Sequence, residues 1–425
     1  MKLFITKNGK NLFVTFALVT MLFLLWGFCN GMIDILNKHF QNTLHISKAQ
    51  SGLVQFANYI GYFLMAIPAG LLAKRFGYKG GILIGLVLIA IGAFWFVPAT
   101  KIGTYWAFLT GLFILATGMT CLETIANPYA TVLGPPESGA TRINLAQTFN
   151  GVGWILGPIV GGHFVFGKGI EGAAASNDGL YIPYMGVAIV VTILIVVFAF
   201  AYLPDIHNEE EVKAEAAGKA VKPLWQRYHF VFGVLAQFLY VAAQTGIFSF
   251  FINYIVENVQ GMTDTTAKNW LGIGGFGLFM GGRACGSFVV GLMKPQKALT
   301  LYASICFVLC LLAMAGFGMV GVVALFGTFF FMSIMFPTIF ALGIRGLGEH
   351  TKLASSLIVM SIVGGAIAPP FMGWIADICS MKTGFIVPTV CFIFIAAYGM
   401  FWKKLEDRDA SSDDADEPIV IRPVH

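Results

Sequence analysis

The sequence predicts an all-α membrane protein of twelve transmembrane helices, arranged as two pseudo-symmetric six-helix bundles. Three observations carry this reading. The 425 residues are 57% hydrophobic and only 11% charged, a balance that no soluble domain of this length tolerates on its surface. The apolar runs reach the roughly 20 residues that a spanning helix needs and lack the alternation of a membrane barrel. A single long hydrophilic stretch, 204–227, then divides those runs six and six.

The elements follow in order. The basic start MKLFITKNGK resembles the front of a signal peptide, but the apolar run after it extends from Leu12 to Cys29 without a clear small-residue cleavage site. It reads as a retained first helix. Spans are expected near 11–37, 48–73, 80–98, 103–131, 142–166 and 181–203. The linker holds Glu209, Glu210, Glu211, Lys213, Glu215, Lys219 and Lys222. Six further spans are expected near 228–257, 267–293, 297–318, 320–344, 353–378 and 384–402. The domains are thus 1–203, the linker 204–227, 228–402, and an acidic tail 403–425 expected to be disordered.

Basic residues orient the chain. If both termini share the linker's side, the opposite side receives only Lys38, Lys48, Lys101, Lys168, Lys268 and Lys382 of the 26 Lys and Arg, with Arg283 inside a span. That asymmetry places both termini and the linker in the cytoplasm. The net charge of +5 does not imply nucleic acid. The seven cysteines lie in or beside apolar runs without metal-ligand spacing and read as packing residues.

The halves look related. NGVGWILGPIVGG (150–162) aligns with SIVGGAIAPPFMG (361–373), so that Gly153 meets Gly364, Pro158 meets Pro369 and Gly162 meets Gly373. Gly61, Phe63 and Gly70 pair in the same way with Gly277, Phe279 and Gly286. Duplicated helical halves around a midplane site are the layout of an alternating-access transporter.

Several polar residues stand inside apolar runs. Asp34, near the outer end of the first span, shares a helix face with Asn30 and Asn37. It either contacts substrate and gates the outer entrance, or is an interfacial acid beside Lys38. Glu123 lies deeper, with no basic residue within a turn; desolvation favours its neutral form, which suits a proton carrier, the alternative being a permanently protonated structural acid. Asn127 follows one turn later and Pro128 frees the backbone beside it.

Amides recur: Asn144, Gln147 and Asn150 on the fifth span; Gln237, Gln244 and Asn253 on the seventh; Asn269 on the eighth. They donate and accept, as sugar hydroxyls require, although each could equally be interhelical glue. Trp26, Tyr59, Trp154, Phe248, Phe336 and Trp374 are aromatic groups that could stack on a sugar face. Arg283 needs a partner, for which Asp377 is a candidate, and both read as conformational. No nucleophile and base pair, metal cluster or nucleotide loop appears, so neither an enzyme nor a cofactor is expected.

GLLAKRFGYKGG (70–81), which contains Arg75, resembles the signature loop of the major facilitator superfamily, with Lys74 where that loop usually has an aspartate. CLETIANPYATVLGP followed by INLAQTFNGVG then resembles the fucose/proton symporter family of sugar transporters within that superfamily. The likeness extends to QFLYVAAQTGIFSF (237–250), FMSIMFPTIFALGIRGLG (331–348) and SSLIVMSIVGGAIAPPFMGWIAD (355–377). It implies a major facilitator fold with a central sugar site and proton-coupled uptake across a bacterial inner membrane by a monomer. Asp34 stands at the family's recognition and coupling acid, Glu123 at its protonatable acid, and Gln147 and Asn150 at positions near the sugar.

The departures point to substrate. Met335 and Phe336 replace a glutamine and a tyrosine before the proline of the tenth span, and Gly31 replaces an asparagine. A broader hexose reading follows, with glucose, galactose, fucose and N-acetylhexosamines as the class. Sodium coupling, a drug or metabolite antiporter and a non-transporting sugar sensor remain the rival readings.

Overall fold

The computed structural model describes residues 3–5, 11–43, 53–166, 181–204 and 223–415. Ten described helices are long and apolar enough to cross a membrane. One lies within Leu53–Ile102, whose 50 residues are about twice what a bilayer needs, and it turns at Gly77, where φ is 70°. That left-handed backbone is open to glycine at little cost, and the turn separates the second span from the third. Gly139–Phe166 is 28 residues long and rich in amides; it supplies the fifth.

Twelve spans result. The first is Phe13–Thr43, the fourth Tyr105–Val132, the sixth Tyr181–Phe200, the seventh Tyr228–Asn258 and the ninth Pro295–Ala315. Three spans of the second half are irregular. The eighth passes from Asp264–Asn269 through a π-helical segment, Trp270–Gly275, into Phe276–Leu292. The tenth breaks between Met319–Met332 and Met335–Gly343, and the eleventh joins Thr351–Met360 to Gly364–Ile378 through a 3-10 turn at Ser361–Val363. Broken helices inside a lipid-embedded bundle survive where other groups take up the freed backbone. The linker residues 205–222 lie outside the described part.

One apolar core gathers the first half and continues into the second at Phe230, Phe340, Ile344, Leu357 and Ile358, and a second core is built almost wholly of the second half. The sixth span turns Ile189, Val190, Ile193, Val196 and Val197 outward, as lipid contact requires. The duplication read from the sequence recurs in packing. A side chain on Gly153 would strike the backbone of the first span at Leu24, Gly27 and Phe28. One on its counterpart Gly364 would strike the seventh-span backbone at Phe238. Fifth on first and eleventh on seventh are therefore the same glycine-lined crossing, used once per half.

The twelfth span departs from expectation. Its helix, Ile386–Ala415, runs well into the stretch expected as a disordered tail. Lys403 pairs with Glu406 at 2.8 Å and with Asp407 at 2.7 Å along one helix face. Asp409, 3% exposed, accepts from the backbone N–H groups of Tyr228 and His229 at 3.0 Å each, capping the seventh span, and lies 2.6 Å from His229 Nδ1. The acidic sequence is a cap for a neighbouring helix, and its like charges are offset by those partners.

Candidate functional site

Prolines build the centre. Pro128, inside the fourth span, has no N–H for the carbonyl of Thr124 one turn earlier, and Ser355 of the eleventh span donates to that oxygen instead at 2.7 Å. Pro337 of the tenth span likewise frees the carbonyl of Ser333, which accepts from Arg283 Nε at 3.0 Å. Asn127–Pro128 and Phe336–Pro337 thus do equivalent work in the two halves. In each, a freed carbonyl ties the span to another helix at the level of the site.

Arg283 is the link between the halves. Its Nη1 donates to the backbone oxygen of Gln147 at 3.0 Å, to Gln147 Oε1 at 3.1 Å and to Asn150 Oδ1 at 3.3 Å. The guanidinium lies over the ring of Phe279, 4.7 Å from its centroid. Gln147 Nε2 in turn donates to Asn127 Oδ1 at 3.2 Å, and Asn150 Nδ2 to the carbonyl of Phe23 at 3.2 Å. The glycine crossing of first on fifth span brings Asn150 to that carbonyl.

Glu123 is 2% exposed, and no well-formed hydrogen bond reaches either carboxyl oxygen, although the Tyr62 hydroxyl lies close enough to make one. Its polar neighbours are Tyr62 and Arg283. The Tyr62 hydroxyl accepts from Trp26 Nε1 at 2.7 Å, and Asn30 Nδ2 donates to the Trp26 carbonyl at 3.1 Å. Beside the carboxyl runs a crevice too tight for a water molecule, lined by Leu22, Phe23, Trp26, Leu122 and Ala126. Thr124 Oγ1, Asn127 Nδ2, Asn144 Oδ1 and both amide atoms of Gln237 are also buried without a partner, and the Tyr240 hydroxyl faces no polar group but the Arg283 guanidinium. Native interiors pair nearly all buried polar atoms, so a cluster of exceptions marks a place where a ligand or a proton is expected.

The expected residues are distributed as follows. Asn30, Glu123, Asn127, Gln147, Asn150, Gln237 and Arg283 are all buried, and Phe336 is 7% exposed, its ring set edge-on to Tyr240 at 6.2 Å. Gln244 is half-buried, two turns beyond Gln237. Asp34 falls within the first helix, but its side chain lies outside the described residues. Arg75 is exposed beside the ring of Phe76.

The expected pairing of Arg283 with Asp377 does not form. Asp377 is exposed near the end of the eleventh span, whereas Arg283 is spent on Gln147, Asn150 and Ser333. Uncharged acceptors and a ring face hold the cation, with Glu123 rather than Asp377 as the neighbouring carboxyl. Sequence reasoning missed Tyr62, Tyr240, Ser333 and Ser355. The Phe-Pro of the tenth span, as counterpart of the Asn-Pro of the fourth, is the signal that could have flagged Ser333.

The halves touch toward the linker end. Asn144 Nδ2 donates to Thr338 Oγ1 at 3.2 Å, Lys352 Nζ sits 4.7 Å from the ring centroid of Tyr78, and Gly70 abuts Ser356. Ser355 on Thr124 and Arg283 on the fifth span add hydrogen bonds between the halves in the part of the spans nearer the linker, and Tyr59 of the second span lies against Gly365 of the eleventh nearer the middle.

Two bundles pinned toward the linker end around a buried carboxyl and an amide cluster define a membrane carrier. The model of the Major Facilitator Superfamily matches residues 12–362, and the chain belongs to that family. It is 39% identical to the L-fucose-proton symporter of Escherichia coli (strain K12) over 413 residues, 93% of this chain and 94% of that protein. It is 36% identical to the glucose/galactose transporter of Brucella abortus over 401 residues, 94% and 96% of the two chains. A crystal structure of the transporter FucP in the outward conformation superposes with a TM-score of 0.80 at 40% identity, covering 92% of this chain and 98% of that one.

Proposed function

We propose that the protein imports a hexose-type sugar together with protons by alternating access across a bacterial inner membrane, as a monomer with both termini and the linker in the cytoplasm. The observation that carries this reading is Glu123: a carboxyl buried at the junction of the halves with no well-formed hydrogen bond at either oxygen. It suits a group that is loaded from one side and emptied to the other. Likeness to a fucose-proton symporter and a glucose/galactose transporter supports the substrate class.

In this reading the halves 1–203 and 228–402 rock about the site while the linker 204–227 tethers them. The contacts at the linker end hold the cytoplasmic side shut, which fits a state that takes sugar from outside. Sugar binds among Asn30, Asp34, Asn127, Gln147, Asn150, Gln237, Gln244 and Phe336, and a proton occupies Glu123, with Asp34 as second coupling acid. Arg283 releases Gln147 and Asn150 when the cytoplasmic side opens. Arg75 and Asp377, exposed at opposite ends, are further conformational candidates. Coupling requires only that the doubly loaded and the empty carrier reorient more readily than the singly loaded ones.

Apolar Met335 and Phe336 favour a hexose over strict fucose recognition. The test is uptake of labelled hexoses, deoxyhexoses and N-acetylhexosamines into proteoliposomes with an inward proton gradient and no sodium. One sugar should accumulate and be lost when the gradient collapses. Glu123→Gln should abolish accumulation while sugar counterflow persists. Full accumulation by that variant would remove Glu123 from coupling, and uptake that needs sodium and ignores the proton gradient would transfer the coupling ion.

A further inference from the structure

Three buried polar atoms of the second half with bonding capacity left over lie close together on the seventh span. Gln237 and Tyr240 are one turn apart on one face of that helix, and both are 0% exposed. Neither amide atom of Gln237 finds a hydrogen-bond partner, and the Tyr240 hydroxyl faces no polar group but the Arg283 guanidinium, which leaves its proton unused. Tyr240 is placed at the centre by two neighbours. Its ring meets Phe336 edge-on at 6.2 Å and 63°, and its hydroxyl lies near the guanidinium of Arg283.

That guanidinium is already committed to Ser333, Gln147 and Asn150. It can only donate, so nothing about it consumes the proton of the Tyr240 hydroxyl. On the tenth span Phe336 meets the Tyr240 ring, while the flanking Ser333 and Thr338 hydroxyls are engaged with the Phe330 carbonyl and Asn144. On the second half's side of the site, the seventh span therefore carries polar side-chain atoms that no other group of the protein occupies.

We propose, resting on the sugar-transport reading above, that Gln237 and Tyr240 form the second half's sugar subsite. The Gln237 amide accepts from one ring hydroxyl and donates to its neighbour, so that it reads a vicinal pair. The Tyr240 hydroxyl bonds a single further hydroxyl, and the Phe336 ring lies against carbon. Amide, phenol and ring edge together match a pyranose, which alternates hydroxyls with an apolar face. Because the first half contributes Asn127, Gln147 and Asn150, the sugar bridges the halves, and Tyr240 is a determinant of which hexose is accepted.

The experiment is calorimetric titration of the full-length purified protein with D-glucose, D-galactose and L-fucose, then with each monodeoxy derivative of the tightest binder. Tyr240→Phe keeps the ring against Phe336 and removes one oxygen. It should weaken the parent sugar about tenfold, as losing one ligand hydrogen bond does, yet bind one monodeoxy sugar as well as the wild type does. Gln237→Leu should show the same indifference to two adjacent deoxy positions. Wild-type affinity of Tyr240→Phe for the parent sugar overturns the subsite, and so does an equal loss for every derivative, which marks a packing role. A folded wild-type protein that binds none of the sugars overturns the sugar reading itself, and the subsite with it.

Discussion

Two buried acids of this protein live by opposite rules. Asp409 accepts two backbone N–H groups and faces His229 Nδ1, while His229 Nε2 in turn faces the Arg345 carbonyl at 3.0 Å. Glu123, equally buried, has no well-formed hydrogen bond at either oxygen. A satisfied polar network fixes one geometry; an unsatisfied one keeps a need that only a proton, a ligand or another conformation can meet. The corner built on Asp409 therefore belongs to the scaffold of the second half, whereas the centre around Glu123 is the place proposed above for coupling.

The largest expected effect breaks the satisfied corner. Asp409→Ala strips two caps from the seventh span and leaves the buried His229 facing a void where a carboxylate stood. Each buried group left without its hydrogen-bond partner costs about 1–3 kcal/mol. Thermal melting of the purified protein should register that loss, while the sugar affinity of the molecules still folded should stay at the wild-type value. Glu123→Gln should do the reverse, melting at or above the wild-type midpoint while accumulation is lost. A Glu123→Gln variant that melted like Asp409→Ala would erase the distinction between the two acids.

The next effect acts on the contact between the halves. A Cβ at Gly70 would collide with Ser356 and come within 2.9 Å of the Lys352 carbonyl, backbone that cannot step aside. Overpacking of this kind costs about 1–3 kcal/mol. Here the halves can escape it by separating at the linker end, so the cost falls on one conformation only. Gly70→Val should raise the population open at that end about tenfold. Maleimide labelling of Ser355→Cys, with the exposed Cys285 and Cys379 replaced by serine, measures it: a matching rise in labelling rate is expected, and an unchanged rate would mean the clash is absorbed locally.

Much of this was legible in the sequence because it is written in local patterns. Run length gave the spans, and Glu123 with Asn127 one turn on pointed to the buried polar centre proposed as the site. What escaped reading is pairing between distant helices. Nothing in the spacing of Arg283 announces Gln147, and a search for an opposite charge led to Asp377, although amides and a freed carbonyl hold a guanidinium equally well. Tyr240 was hidden among 14% aromatics, most of which only pack. The twelfth helix was misread at its end because KKLEDRD was weighed by composition; its i,i+3 and i,i+4 opposite charges were a helix signal.

Those same charges provide the smallest effect and the sharpest check on what partnership means. Lys403 has two carboxylate partners, closer in number to the Asp409 arrangement than to Glu123, but its side chain is 61% exposed. Water competes for each of its bonds, and the flexible side chain loses freedom by making them. Lys403→Ala should therefore leave the melting midpoint and sugar uptake unchanged within error. A loss approaching that of Asp409→Ala would show that the number of partners governs stability here regardless of burial. The contrast between the two acids would then have to rest on something other than their shared isolation from water.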